Sequence, residues 1–394
     1  MRQFMKISQE HLPARRISPE KDICFFGYYD KYPCSASGEF HLAHRVGFQA
    51  RQPRCGEAAE LGFLRDGQFV AFGSTCAWNW QQGSMLQWFD QRHVLFNDLE
   101  QGKHVARRLN PDNGECRTLD RPVYTLSPDR KYALSLNFSR LDRERPGYGY
   151  HGADDPTIEY GYCQNDGVFL MDLEAGQSRV VVSLARLVES LPDVPEAART
   201  THWVNHMLFS PDGKRFSFLH RYRVFPPTFE GMRYYRTRLL TARVDGSDLR
   251  ELQADGHFSH YVWSAPERIL AASRLPEDGT QYRIYDVLSG KPVQVVAANV
   301  FPPDGHCSFS PDGRWMLTDS YVMPDGCRKL YLMRMGTGEA FEIGSFRSNP
   351  DWPAPTRCDL HPRWMPDGRS VSIDSIHEGT RGIYHIDLKG IIAP

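Results

Sequence analysis

The sequence lacks the features that mark several large functional classes. Charge is nearly balanced, with 47 Lys and Arg against 48 Asp and Glu, so there is no basic surplus to hold nucleic acid or an anionic membrane. No apolar run approaches the length of a membrane span. The opening residues, Met-Arg-Gln-Phe-Met-Lys-Ile-Ser-Gln-Glu, have no apolar core of a signal peptide. Cysteine is scarce: nine scattered residues, an odd number, with no Cys-x-x-Cys pair. That excludes a zinc ribbon and fits reduced thiols in a cytoplasmic protein. A Gly-x-Ser-x-Gly elbow is also missing, and no α/β domain follows the repeats, so a propeller-associated peptidase is not expected.

What is present is a repeat. An aromatic or apolar residue, a small residue and a Pro-Asp-Gly-like step recur at Cys34, Trp88, Leu126, Phe209, Trp263, Phe309 and Trp364. The spacing is usually about 40–55 residues, the size of a four-stranded propeller blade. Pro-Asp-Gly is hairpin chemistry, because Pro presets φ, Asp bonds its own backbone and Gly takes positive φ. Strands are expected at Phe40-His-Leu-Ala, Tyr132-Ala-Leu-Ser-Leu, Phe216-Ser-Phe-Leu, Trp315-Met-Leu-Thr and Val371-Ser-Ile-Asp, with third strands such as Leu330-Tyr-Leu-Met-Arg-Met and Gly382-Ile-Tyr-His-Ile-Asp-Leu. The final unit stops after its third strand, so a strand from the first 25 residues is expected to complete it and close the ring. The fold expected is all-β: one seven-bladed β-propeller domain over residues 1–394, with Tol-type and WD-type Ser-Pro-Asp-Gly repeats. At 41% hydrophobic residues the chain can bury the interfaces this needs. Insertions are expected near 140–166, near 184–203 (with a short amphipathic helix from Leu184) and near 225–236. Such loops on a rigid scaffold commonly carry function.

Four copies of the repeat hold histidine in one slot: His206, His260, His306 and His361, each three residues before the aromatic expected to open the first strand. Equivalent positions of a propeller form a ring, so these imidazoles are expected to converge at one mouth of the channel, while the slots of blades 1–3 hold Lys31, Met85 and Val123. Asp359, two residues before His361, faces the same way in extended chain. His306, Asp359 and His361, with His260 as a further ligand, make a mixed nitrogen and oxygen set suited to Mn, Fe or Zn. The plainer alternative is that each histidine bonds the next blade and ties the ring together. Arg45, Arg221, Arg357 and Arg363 stand near the same slots, and guanidinium is the group for bidentate carboxylate recognition. Tyr28 and Tyr29, beside Lys31, add aromatic faces of the kind that stack on sugars. An anionic sugar ligand follows, with Arg357, Arg363, Tyr28, Tyr29, Lys31 and Arg45 as its binding residues.

Blades 6 and 7, with Gly305-His306-Cys-Ser-Phe-Ser-Pro-Asp-Gly-Arg-Trp-Met-Leu-Thr-Asp-Ser and Asp359-Leu-His361-Pro-Arg-Trp-Met-Pro-Asp-Gly, resemble the oligogalacturonate lyase family. Its members are cytoplasmic seven-bladed propellers that cut uronate oligosaccharides by β-elimination, with manganese held by three His and one Gln and an Arg suggested as base. The resemblance implies that His306 and His361 are metal ligands, that Asp359 stands where the family has the first His of a His-x-His-Pro step, and that Arg221 is the matching Arg. It implies manganese as the cofactor, with zinc or iron as alternatives, and an anionic oligosaccharide as the substrate. On chemical grounds His206 competes with Arg221 for the role of base, because its ordinary pKa lies near neutrality. A non-catalytic propeller that binds a glycan or a protein in a polysaccharide assembly system is the other class that the repeat allows.

Overall fold

A computed structural model describes residues 7–192, 199–224, 235–298, 300–352 and 354–392. Its strands form seven sheets, and the fold is a seven-bladed β-propeller. By internal contacts the chain divides into two compact units. The first comprises Met1–Leu99, Arg107–Thr118 and Ala297–Pro394, and holds blades 1, 6 and 7 with most of blade 2. The second comprises Glu100–Ala106 and Leu119–Val296, and holds blades 3, 4 and 5. Among the described residues no helix is long and apolar enough to cross a membrane.

The repeat's turn explains its own spelling. In blade 4 the Ser210 hydroxyl donates to Asp212 at 2.7 Å and accepts the Arg215 amide at 3.0 Å. Ser310 does the same with Asp312 and Trp315 in blade 6, and Ser127 with Asp129 and Tyr132 in blade 3. The fourth turn residue needs a left-handed backbone, taken by Gly213 at φ 68° and Gly313 at φ 70°. This turn joins the first strand to the second, so the aromatic before it closes the first strand. The expectation that it opens that strand is corrected: Phe209 ends His202–Phe209, Phe309 ends Ser308–Phe309 and Trp364 ends Arg363–Trp364. His206 and His260 therefore lie inside strands His202–Phe209 and Phe258–Ala265.

The final blade is completed from the N-terminal region, as expected. Ala14–Arg16 pairs antiparallel with Gly382–Asp387, outside Ser370–Ser375 and Arg363–Trp364. A second short strand, Ile7–Gln9, adds in parallel to Ala340–Arg347 and makes blade 6 five-stranded. Blades 6 and 7 share a core of Leu317, Leu332, Val371, Ile373, Tyr384 and Ile386. In the second unit Leu219, Leu239, Tyr261, Ile269 and Tyr285 play the same part. At about 1.5–3 kcal/mol for each fully buried large apolar side chain, these interfaces dominate the stability of each unit.

The insertion near 140–166 opens with helix Phe138–Glu144, capped by the Asn137 side chain on the Arg140 amide. Its hub is buried Arg140, which meets Asp166 at 2.7 Å and Thr157 Oγ1 at 2.9 Å. The expected short helix is Leu184–Glu189, capped by Ser183. Residues 225–234 of the third insertion lie outside the described residues.

Candidate metal centre

The histidine slot has an unusual backbone. His361 sits at φ 43°, His206 at φ 48° and Met85, its counterpart in blade 2, at φ 54°. Left-handed conformation costs a non-glycine residue about 1–2 kcal/mol. At His206 the strand register also slips between Asn205 and Leu208, the mark of a bulge that re-aims a side chain. His260 and His306, in the same slot, do not share the left-handed backbone, so the strain marks only His206, His361 and Met85.

In the first unit, His306, Asp359 and His361 come together. Their ligand atoms lie within 4.8 Å of one another, and the two rings meet edge to face at 4.3 Å. All three residues are buried. His306 is held from behind by Asp319, whose carboxylate accepts the main-chain N–H at 2.7 Å and lies 2.9 Å from Nδ1 through both oxygens. Gly305 makes that approach possible: a Cβ there would stand 1.9 Å from the Asp319 carbonyl oxygen. Tyr28 packs on His361 at 5.1 Å and Tyr29 on His306 at 5.1 Å.

Asp359 lies between two cations. Arg328 Nη1 is 2.7 Å from Oδ1 and Arg357 Nε is 2.7 Å from Oδ2. Burial alone would raise its pKa, but Arg328 and Arg357 outweigh that and hold the carboxyl well below the usual carboxylate range. Burial, and then the neighbouring His306, push His361 well below its ordinary value, so it is a neutral imidazole at physiological pH. The fit to a divalent ion is good on three counts. The donors are two imidazoles and a carboxylate, a carboxylate backs His306 as in many metal sites, and among the described residues the buried Nε2 of His361 has no hydrogen-bond partner.

The other residues singled out from sequence lie as follows. Arg357 also donates to the Ala354 carbonyl at 2.7 Å, and its own carbonyl accepts from Gln81 Nε2 at 3.0 Å. Arg363 is buried and engaged with Asp374 at 2.7 Å and the Gly27 carbonyl at 3.1 Å. Asp374 also accepts the Phe26 and Gly27 amides, which fixes the chain leading into Tyr28 and Tyr29. Lys31 forms a buried pair with Asp30 at 2.8 Å. Arg45 pairs with Glu60 at 2.8 Å and Asp22 at 3.1 Å and covers the Phe69 ring. His206, His260 and Arg221 belong to the second unit. The His206 ring packs on Tyr261 at 4.4 Å, and its carbonyl accepts the Tyr261 hydroxyl. Ser259 Oγ lies 3.4 Å from Nδ1 of buried His260. Arg221 is buried with its guanidinium 5.2 Å from the Tyr235 ring, and among the described residues its Nε and Nη1 have no hydrogen-bond partner.

Asp319, Arg328 and Asp374 went unnoticed in the sequence reading. Each sits at or near the end of a strand that pairs in register with another part of its blade, and no local motif marks them. A groove of about 1100 Å³ in the second unit is lined by Lys214, Arg215, Arg243, Arg250 and Arg268 against Asp212, Asp248 and Glu267. Asp248 meets Arg215 at 2.6 Å and Arg250 at 2.9 Å.

No protein family model matches the chain, and no curated protein matches it. Solved structures do. An oligogalacturonate lyase from Vibrio parahaemolyticus superposes with a TM-score of 0.64 at 16% identity, over 98% of this chain and 96% of that one. An oligogalacturonate lyase in complex with manganese gives 0.65 at 14% identity, over the same shares. A puromycin-hydrolyzing peptidase from Mycobacterium tuberculosis gives 0.58 at 12% identity, over 98% of this chain but 55% of that one. At such identities the likeness is one of fold. In that respect the chain resembles the oligogalacturonate lyases along nearly the whole length of both chains.

Proposed function

We propose that this protein is a metal-dependent, cytoplasmic lyase that cleaves uronate-containing oligosaccharides by β-elimination. The observation that carries the reading is the buried trio His306, Asp359 and His361, with Asp319 behind His306. The end-to-end likeness to two oligogalacturonate lyases, one of them a manganese complex, adds support and makes manganese the first choice over zinc or iron.

The chemistry sets clear demands. The proton removed lies on C5, α to the uronate carboxylate, and is weakly acidic. As a base takes the C5 proton, a C4–C5 double bond forms, the C4–oxygen bond to the leaving sugar breaks, and the leaving oxygen takes a proton from solvent to become a hydroxyl. Negative charge grows on the carboxylate side and must be offset. A divalent ion held by His306, Asp359 and His361 would act there as a Lewis acid. Arg357 would clamp the carboxylate, helped by Arg328, since both guanidiniums already meet at Asp359. Tyr28 and Tyr29 would carry the sugar face, with Lys31 and Arg45 as further cations, whereas Arg363, buried against Asp374, helps hold the chain that leads into the two tyrosines. His206 and Arg221, the residues expected from sequence to supply the base, belong to the second unit. Arginine would need strong perturbation to act as a base, and a histidine would not.

A second reading is a non-catalytic propeller that binds anionic glycan or protein in polysaccharide assembly. What favours it is that two guanidiniums meet a single carboxylate at Asp359, which leaves a surplus of positive charge for an anion with no metal. One experiment separates the two: bound metal measured by mass spectrometry on protein purified without a nickel column, beside a His306→Ala/His361→Ala variant. Near-stoichiometric metal lost in the variant, followed by ultraviolet absorbance of an unsaturated product from uronate oligosaccharides, supports the lyase. Absence of metal after add-back, with no product, supports the binding propeller.

A further inference from the structure

We propose that Asp319 is a positioning residue for the trio: it locks His306 into the tautomer protonated at Nδ1, so that the Nε2 lone pair serves as the ligand. The inference rests on the reading of His306 as a metal ligand, and adds a residue which that reading did not contain.

The argument is geometric. A neutral imidazole carries one proton, on either nitrogen, and the neighbour of each nitrogen decides which. Both Asp319 oxygens lie 2.9 Å from Nδ1 of His306, and a carboxylate can only accept. The proton is therefore drawn to Nδ1. The same carboxylate accepts the His306 main-chain N–H at 2.7 Å, so ring and backbone are gripped by one group. Asp319 ends strand Trp315–Asp319, which pairs with Cys327–Arg334, so the gripping group stands on the sheet and not on a loop. Gly305 removes the one side chain that would hold the loop and strand apart. Among the described residues His361 has no such carboxylate within hydrogen-bond reach: Asp359 Oδ2 lies 4.0 Å from its Nε2. The two ligand histidines thus differ, one fixed by a carboxylate and the other by its left-handed backbone.

Asp319→Asn tests this. Asparagine keeps the shape and can still accept the main-chain N–H, but it turns an NH₂ toward Nδ1 and favours the proton on Nε2. The tautomer is read in metal-free protein by nitrogen-15 NMR of labelled histidine, with His306→Gln assigning the signal. Wild-type His306 is expected as the Nδ1–H form and the variant as the Nε2–H form. Affinity for Mn²⁺ or Zn²⁺ alone, by calorimetry, is expected to fall roughly 10–100-fold in the variant. Wild-type His306 protonated at Nε2 overturns the inference, and this needs no variant to fold. A folded Asp319→Asn protein that binds the ion as tightly as wild type also overturns it. A wild-type protein with the Nδ1–H tautomer that binds neither ion supports the role of Asp319 and sinks the metal reading instead.

Discussion

Arg357 Nε stands 2.7 Å from Oδ2 of Asp359, and the carboxylate that it meets is completely buried. Arg328 Nη1 meets the other oxygen at 2.7 Å. Removing one member of a buried pair costs about 3–5 kcal/mol, because the survivor keeps its charge out of water. Asp359→Asn is expected to destabilise the protein by that order in urea unfolding and to abolish metal uptake. Arg357→Ala, at the more exposed partner, is expected to cost less than Arg328→Ala.

Gly305→Ala is a small change with a large expected effect. The added methyl would fall 1.9 Å from the Asp319 carbonyl oxygen, which belongs to a strand and cannot step aside. The loop must move, and His306 with it. Metal content should drop to the level of His306→Ala, while circular dichroism stays that of the propeller.

The Arg363–Asp374 pair predicts an indirect phenotype. Asp374→Ala leaves Arg363 buried and uncompensated and frees the Phe26 and Gly27 amides. The expected cost is again about 3–5 kcal/mol. Weakened binding of uronate oligosaccharide should accompany it, because Tyr28 and Tyr29 lose their anchor. Thermal unfolding and substrate titration check the two effects separately.

Acid should unfold the first unit through buried histidines. His44, whose Nε2 lies 2.8 Å from Ser84 Oγ, is pushed down to about 3 by burial, as is His41 by burial and Arg363. Each stays neutral in the folded state while its unfolded form takes a proton below about pH 6.5. The unfolded state binds more protons in that window, so stability falls as pH drops from about 6.5 to about 3. His44→Gln removes one such proton, and the slope of stability against pH should flatten by about 1.4 kcal/mol per unit. An unchanged slope in urea titrations would count against this.

The blades were legible because their turns are local. Ser210, Asp212 and Gly213 spell a hairpin within four residues, and the same bonds recur at Ser310 and Ser127. The N-terminal completion of blade 7 was legible by counting strands. The parallel strand Ile7–Gln9 was not, since nothing in three residues names Ala340–Arg347 as a partner. For the candidate site, the repeat slot singled out His306 and His361, and the two-residue spacing singled out Asp359. Arg328 and Asp319 were out of reach for the opposite reason. Their roles depend on which strand end lies beside which loop, and that is settled by packing between residues 13 to 31 positions apart.

The strand Ala14–Arg16 has a consequence for how the propeller folds. Arg16 faces Tyr384, 368 positions later in the chain. Closing so long a loop costs entropy before any contact rewards it. The other blades can form from neighbouring hairpins, but blade 7, which carries Asp359 and His361, also waits on this distant partner. A change that weakens the Ala14–Arg16 pairing is therefore felt at the candidate centre, although it lies on a different strand.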